Sequence, residues 1–446
     1  MVSFLRLMVV VIAIIFYQLE TVTMYPYPFT SLVAPINKHI DAAKPLYSVE
    51  IMSKNENADY LFRNLLIDIE APLTWHQCLL KDSQVGPFFC PYDDTLCNWP
   101  LGCNEDPCAQ LQVADSYQNP SSCPNIYNVP RPRSVDTCAC PVNVLDPVTG
   151  SCDVAFVNYD HFTMHTSKGA NFLTDLHTAY PNAACADDSS EAAFELFPAN
   201  VTGVMALSSS PYVLSNTLYF PHAKTIAMCL PSTLSSSGIL FIGKGPYYLL
   251  PQSDVDVTTY LSYTPLLDPQ TTFEYYIGVD AIVIKKRSIS IPPNTTAKLS
   301  TNNPYTILRT DIYSSLIQRV SKVTKKIPRA NPIAPFSLCF KTTSNKDPSK
   351  VSSIKIPDID FTLQGGKNWT MSTTNTVKQV TKDAACVAFV DGGAMTSSGP
   401  AMVIGSFQFE DNFVVFDVEN SMFGFSSSLL RKQTSCSNFN FTITKN

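Results

Sequence analysis

Asn64-Leu65-Leu66-Ile67-Asp68-Ile69-Glu70-Ala71-Pro72-Leu73-Thr74-Trp75-His76-Gln77 is the stretch on which the reading of this chain turns. Three apolar residues lead to a single carboxylate, Asp68, at the end of a short strand-like run. A second apolar stretch then closes on Trp75. Between them Glu70 adds bulk and a second negative charge beside Asp68. One carboxylate alone cannot share a proton with another, so the question is what the remainder of the chain sets against it.

The chain has 446 residues, 45% apolar and 15% charged, enough for two or three globular domains. Residues 1–24 read as a secretory signal, because Arg6 precedes an apolar run from Leu7 to Tyr17 that is too short to span a bilayer. Later apolar runs are short and broken, so no membrane span is expected. Fourteen cysteines agree with export to an oxidising compartment. Nine of them fall between Cys78 and Cys152, and the other five are Cys185, Cys229, Cys339, Cys386 and Cys436. Both counts are odd, so complete pairing needs at least one bridge between the groups, and spacing does not fix the connectivity. Irregular spacing without a Cys-x-x-Cys pair argues against a zinc site, and no motif calls for a metal or cofactor. Four sequons, at Asn200, Asn294, Asn368 and Asn440, are candidate glycosylation sites. With a formal charge of −6 and no basic stripe in the sequence, nucleic acid is not expected as a partner.

Strand signals dominate. Apolar runs punctuated by Pro, Gly, Asn and Ser predict strands at 46–52, 65–69, 238–243, 275–284, 359–363, 386–390, 402–404 and 413–418. The spacing of Ile312, Leu316, Ile317 and Val320 predicts a helix over 311–320, opened by Thr310-Asp311 as a cap. A second helix is expected within 209–220. Segment 78–152 reads as irregular loops held by bridges, with a return to strand at 154–159, and 249–264 reads as a crossing between two halves. An all-β fold of packed sheets with few helices follows.

The opening stretch resembles the first active-site segment of pepsin-like aspartic proteases, which runs apolar-apolar-Asp-Thr/Ser-Gly-Thr/Ser and then an aromatic. Ile69 and Glu70 stand where that pattern has Thr and Gly. Such enzymes place one Asp from each lobe around a shared proton and a water. The matching second segment is Lys298-Leu299-Ser300-Thr301-Asn302-Asn303-Pro304-Tyr305-Thr306-Ile307-Leu308, with Ser300 at the second Asp and Asn302 at its Gly. Ser300 cannot hold the shared proton as a carboxyl does. Asp311 lies about eleven residues later and suits a helix N-terminus better than catalysis. Asp68 and Ser300 are therefore expected to be vestigial. Cys140-Pro141-Val142-Asn143-Val144-Leu145-Asp146 is similar to the flap of plant pepsin-like proteases, with Val144 at the flap Tyr. Other catalytic patterns are weaker. The six histidines form no His-Glu-x-x-His, and there is no Gly-x-Ser-x-Gly. Gly238-Ile239-Leu240-Phe241-Ile242-Gly243-Lys244 misses a P-loop because Gly245 follows the lysine.

Taken together, the chain resembles the plant TAXI-type family of xylanase inhibitors, xyloglucan-endoglucanase inhibitors, extracellular dermal glycoprotein and basic 7S globulins. The likeness rests on 66–77, 238–246, 298–313 with Ala334-Pro335-Phe336-Ser337-Leu338-Cys339, 385–390, and 403–417 continued by Phe423-Gly424-Phe425-Ser426 and Cys436-Ser437-Asn438-Phe439. It implies a bilobal pepsin-like fold, with an N-terminal lobe over 45–248 carrying the Cys-rich insertion 78–152, and a C-terminal lobe over 265–446. It also implies a disulfide between Cys339 and Cys386. The implied protein is monomeric and apoplastic. It does not cleave peptides, and its partner is a microbial cell-wall glycoside hydrolase, a xylanase or a xyloglucan endoglucanase. Those enzymes keep two carboxylates in an open cleft, where an inhibitor can insert a cation. The positions the resemblance points to are Arg329, in a loop with Lys325 and Lys326, and Lys432 just before Cys436; the 391–400 loop carries no Arg. An aspartic endopeptidase with residual activity and a storage or stress globulin are the alternatives.

Overall fold

The computed structural model describes residues 27–40, 44–54, 60–77, 100–116, 123–126, 133–134, 137–169, 173–186, 196–249, 256–268, 272–342, 354–395 and 399–442. The expected signal segment, Cys78, Cys90 and Cys97 lie outside these residues. The architecture is the expected all-β, two-lobed one, with short helices.

A six-stranded antiparallel platform joins the halves. Its order is Ser31–His39, Gly238–Gly243, Thr225–Cys229, Phe413–Asp417, Met422–Phe425 and Ser262–Leu267. Three strands come from each half of the chain, and the seam pairs Ile226 with Phe416 and Met228 with Val414. The strand Gly238–Gly243 is buried along its whole length, which explains why it reads as an uninterrupted apolar run. The end of the expected crossing segment is the platform's edge strand, preceded by a 3-10 turn at Val257–Tyr260. Cys229–Cys436 ties the last described turn of the chain back to the seam strand across 207 residues.

Each half repeats one crossing. In the first, Tyr60–Asp68 runs parallel to Val201–Ala206, and Trp75–Gln77 comes back antiparallel to the same strand. In the second, Thr295–Leu299 runs parallel to Met402–Ile404, and Thr306–Leu308 returns antiparallel to it. Both crossings bring backbones too close for a side chain. A Cβ on Gly203 would lie 2.2 Å from the Trp75 carbonyl oxygen, and one on Gly405 would lie 2.6 Å from that of Asn303. The two crossings are a long internal repeat of one strand–turn–strand unit.

Three expectations are corrected. The helix of the C-terminal half spans Thr310–Val323, but neither Thr310 nor Asp311 caps it. Arg309 holds the N-cap position without a side-chain cap, and Asp311 sits in the first turn, bound by Arg309 at 2.7 and 2.8 Å. The helix expected within 209–220 shrinks to one turn, Leu214–Thr217. The described part of 78–152 is not merely stapled loops. It contains the helix Asp106–Ser116 and the strand Pro141–Leu145, which pairs with Cys152–Tyr159. Leu101, Cys108, Leu111, Val142 and Val144 pack with Trp75 in a buried cluster. Cys108 and Leu111 are three apart on the helix, so a cysteine fills an apolar position. Counted only as a bridge, it hides the period.

Bridges within this segment are Cys103–Cys138, Cys108–Cys140 and Cys123–Cys152. Cys339 and Cys386 are bonded on adjacent strands of the C-terminal half. Cys185 is bonded to a cysteine outside the described residues. Since the other four of its group pair among themselves, this is the bridge between groups that the odd counts require.

Candidate functional site

The two crossings place Asp68 and Ser300 at matching strand ends. Asp68 is buried, and its carbonyl accepts from Leu207 N at 2.8 Å. Ser300 N donates to the Ile404 carbonyl at 3.0 Å, across the equivalent parallel pair but in the opposite direction. The Asp68 carboxylate is used locally, with Oδ1 accepting from Glu70 N at 2.7 Å and Ala71 N at 3.0 Å, and the Asn302 amide donates to it as well. It is a hydrogen-bonded turn carboxylate.

What faces it from the second lobe is not a carboxyl. Ser300 Oγ donates to Glu70 Oε1 in a very short hydrogen bond and accepts from Asn303 N at 3.1 Å and Asn303 Nδ2 at 2.9 Å. Lys298 Nζ binds Glu70 Oε2 at 2.6 Å and Glu274 Oε1 at 3.0 Å. Glu70, at the glycine position of the first turn, therefore reaches over the cleft to Ser300 and Lys298. The position of the second acid is filled by a Ser–Glu–Lys chain whose carboxylate comes from the first lobe.

One grip between the lobes survives. Thr301 Oγ1 donates to the Ile67 carbonyl at 2.8 Å and accepts from Ile69 N at 3.3 Å. The symmetric hydroxyl is missing because Ile69, fully buried, has none to return. Sequence reasoning passed over Thr301, although its place after Ser300 matches the Thr of an Asp-Thr-Gly turn.

Asp68, Glu70, Lys298, Glu274, Asn302 and Val144 line a cavity of about 360 Å³, with Trp75 at its side. Val144, at the flap position, is buried there. Burial pushes the Asp68 and Glu70 carboxyls up from the ordinary range, and for Glu70 the Asp68 charge adds to this while Lys298 opposes it. Burial works against the Lys298 charge too, but Glu70 and Glu274 outweigh it and raise its pKa, so the ammonium persists. Chemically the site holds the Glu70 carboxylate clamped by Lys298 beside the Asp68 carboxylate held by its own turn. It has no pair of equivalent carboxyls around a free water position.

The remaining named residues lie elsewhere. Asp311 is exposed and engaged by Arg309. Arg329 is half-buried, with Nη2 donating to Ser321 O at 2.9 Å and its guanidinium 4.8 Å over the Phe340 ring. Lys432 is exposed in a 3-10 turn with Nζ 5.0 Å over the Tyr260 ring. Asn200, Asn294 and Asn368 are exposed, whereas Asn440 is half-buried, its Oδ1 accepting from Thr442 Oγ1 at 2.6 Å. Among the described residues, no group of His, Cys, Asp and Glu could hold a metal ion.

Away from the cleft, His76 in the opening stretch joins a buried cluster that sequence reasoning missed. Arg63 Nη1 donates to His76 Nδ1 at 2.6 Å, and His76 Nε2 makes a very short bond to Asp160 Oδ2. All three are almost wholly buried.

Residues 47–244 match the family described as xylanase inhibitor N-terminal, and 274–427 match xylanase inhibitor C-terminal. Chitinase CLP of rice (Oryza sativa subsp. japonica) is 32% identical over 425 residues, 92% of each chain. Gamma conglutin 1 of Prunus dulcis is 36% identical over 312 residues, 68% of this chain and 70% of its own. The crystal structure of edgp superimposes with a TM-score of 0.74 at 27% identity, covering 93% of this chain and 99% of that one.

Proposed function

We propose, from the premise that the chain belongs to the xylanase-inhibitor family of pepsin-like proteins, that it is a secreted binding protein which blocks a cell-wall glycoside hydrolase and does not cleave peptides. The observation that carries this reading is the Ser300–Glu70–Lys298 chain in the place of the second acid. A shared-proton dyad needs two equivalent carboxyls. Here the carboxylate bonded to Ser300, that of Glu70, is clamped by an ammonium, so a water between the lobes lacks a second free base beside Asp68.

An inhibitor of a glycosidase gains affinity by lodging a cation between catalytic carboxylates in a desolvated cleft, and truncating such a pair costs about 2–5 kcal/mol. Lys432 is exposed and has only its place over the Tyr260 ring to leave, while Arg329 must give up both its bond to Ser321 and its stack on Phe340. The reading therefore assigns the anchor to Lys432 ahead of Arg329. Pull-down from microbial secretomes, then residual xylanase and xyloglucanase assays, is the test. Lys432→Ala should weaken inhibition about thirty-fold or more, equivalent to about 2 kcal/mol, and Arg329→Ala less. Equal inhibition by parent and both variants would refute the anchor assignment, and inhibition of no captured enzyme would refute the function.

A second reading, residual aspartic endopeptidase activity, is favoured by the two carboxylates that share the cavity. It expects pepstatin-sensitive turnover of denatured protein somewhere between about pH 2.5 and 6, lost in Asp68→Ala. Our reading expects none.

A further inference from the structure

The chain carries a net charge of −6, yet the 61 residues from Ala281 to Lys341 hold eleven Lys and Arg and a single acid, Asp311. Two short basic runs, Lys285-Lys286-Arg287 and Lys322 to Lys326, lie about 35 residues apart, and the fold brings them together. Tyr276–Ile284 and Arg287–Ile289 form a two-residue hairpin whose turn is Lys285-Lys286. The helix Thr310–Val323 packs beside it, and Arg319 joins the two, its Nη2 donating to the Ile284 carbonyl at 3.1 Å. Lys322 follows Arg319 by one helical turn, and Lys325 and Lys326 continue past the helix end. Lys285, Lys286, Arg287, Lys322, Lys325 and Lys326 are exposed, and among the described residues none forms an ion pair. The adjoining acids are Asp280, exposed on the hairpin's own strand, Asp360 on the next strand, and Asp358 just before that strand. Asp358 is bound by Arg431, and Asp360 accepts from Thr370 Oγ1 at 2.6 Å.

Cations at a helix C-terminus need no functional explanation, because they complement the helix dipole. The hairpin turn does need one. Lys285 and Lys286 have φ of 51° and 59°, the left-handed conformation at both central positions of the turn. Asn-Gly is the favoured pair there, since a Cβ is disfavoured in this region. Two long cations held in an unfavourable backbone, beside three more on the neighbouring helix end, point to a use for the charge.

We propose that this face docks a linear acidic polysaccharide, a polymer with a carboxylate on successive sugars. Between Ala281 and Lys341 the described residues present no exposed large apolar side chain. A protein partner would need a buried aromatic or aliphatic anchor, and single-stranded nucleic acid would need a stacking ring. Exposed lysines on a face without large exposed apolar side chains match a polymer of evenly spaced carboxylates, with diffuse and salt-dependent binding. The site is remote in role from the cleft and does not depend on glycosidase inhibition.

The test uses the full disulfide-bonded chain with polygalacturonate as probe and its fully methyl-esterified form as the neutral control. Retention is expected at about 20 mM salt and loss by about 0.3 M, where exposed charges are screened. Lys322→Gln/Lys325→Gln/Lys326→Gln should weaken binding about tenfold and flatten its salt dependence, as removal of charge contacts does for any polyanion. Lys285→Asn/Lys286→Gly should also weaken it while the melting temperature stays level or rises, because the turn becomes the favoured pair. That second variant separates lost binding from lost folding. No binding at low salt, equal capture of the esterified polymer, unchanged affinity in both variants, or tighter binding of a single-stranded oligonucleotide of equal charge overturns the proposal.

Discussion

Glu70 changes what a single substitution at Ser300 can do. A pepsin-like site is conventionally restored by returning the missing Asp, but here Ser300→Asp would set a new carboxylate against Glu70, with Asp68 close by in the same cavity. We expect no pepstatin-sensitive proteolysis from that variant and a loss of about 1–3 kcal/mol of stability, the usual cost of a buried unpaired polar group. Urea denaturation together with a casein assay at acid pH checks both. The Arg63–His76–Asp160 cluster gives a second prediction. Burial alone would raise the Asp160 pKa, but His76 and Arg63 outweigh it and hold that carboxyl well below the usual range. A depressed carboxyl lends stability above its unfolded pKa of about 3.9, and that stability drains away as pH falls from there toward the folded value. Asp160→Asn should therefore cost about 3–5 kcal/mol near neutrality, as breaking a buried pair does. It should also flatten the acid limb of the stability curve below about pH 4. An unchanged acid limb would show that the cluster does not titrate with folding.

At the scale of elements, the two crossings fix both turns, and the glycines fix the crossings. Gly203→Ala places a methyl 2.2 Å from a backbone oxygen and 2.5 Å from the His76 Cα, atoms that cannot swing aside. We expect this variant to lose several kcal/mol, beyond about 3, on the scale of overpacked cores, and thermal melting measures it. The strands around these crossings were legible because burial writes itself as apolar runs. Gly238–Gly243, Ile359–Leu363 and Met402–Ile404 fall at the expected residues. Asp68, Ser300 and Val144 were legible as positions, since each sits at a fixed offset in a motif. Their partners were not. Glu70 meets Ser300 across 230 residues and His76 meets Asp160 across 84, and no local period encodes such pairings. The helix Asp106–Ser116 was hidden for another reason. Among its described side chains Cys108, Leu111 and Ala114 are the buried ones, too sparse a stripe to register when one member is counted as a bridge.

In the molecule as a whole, the halves are joined by more than the platform. Lys38 Nζ from the first strand binds Glu410 Oε1 at 2.8 Å, and Tyr47 donates to the same oxygen at 2.7 Å. Both partners of the ion pair are nearly inaccessible. Lys38→Met should strand Glu410 in a buried setting and cost about 3–5 kcal/mol. If the pair couples the halves as the geometry indicates, calorimetry will show one transition moving down intact; a split into two transitions would mean that each half melts alone. The platform seam has a further consequence, for the order in which the chain can be made. Thr225–Cys229 is synthesised well before its partner Phe413–Asp417 and its disulfide mate Cys436, which lies 207 residues after Cys229. The first half thus leaves synthesis with one strand edge unpaired, and long-range pairing of this kind is slow and prone to association with other chains. Truncation anywhere before Phe413 should yield not a smaller stable protein but an aggregating one, because completion of the sheet must wait for residues made nearly two hundred positions later.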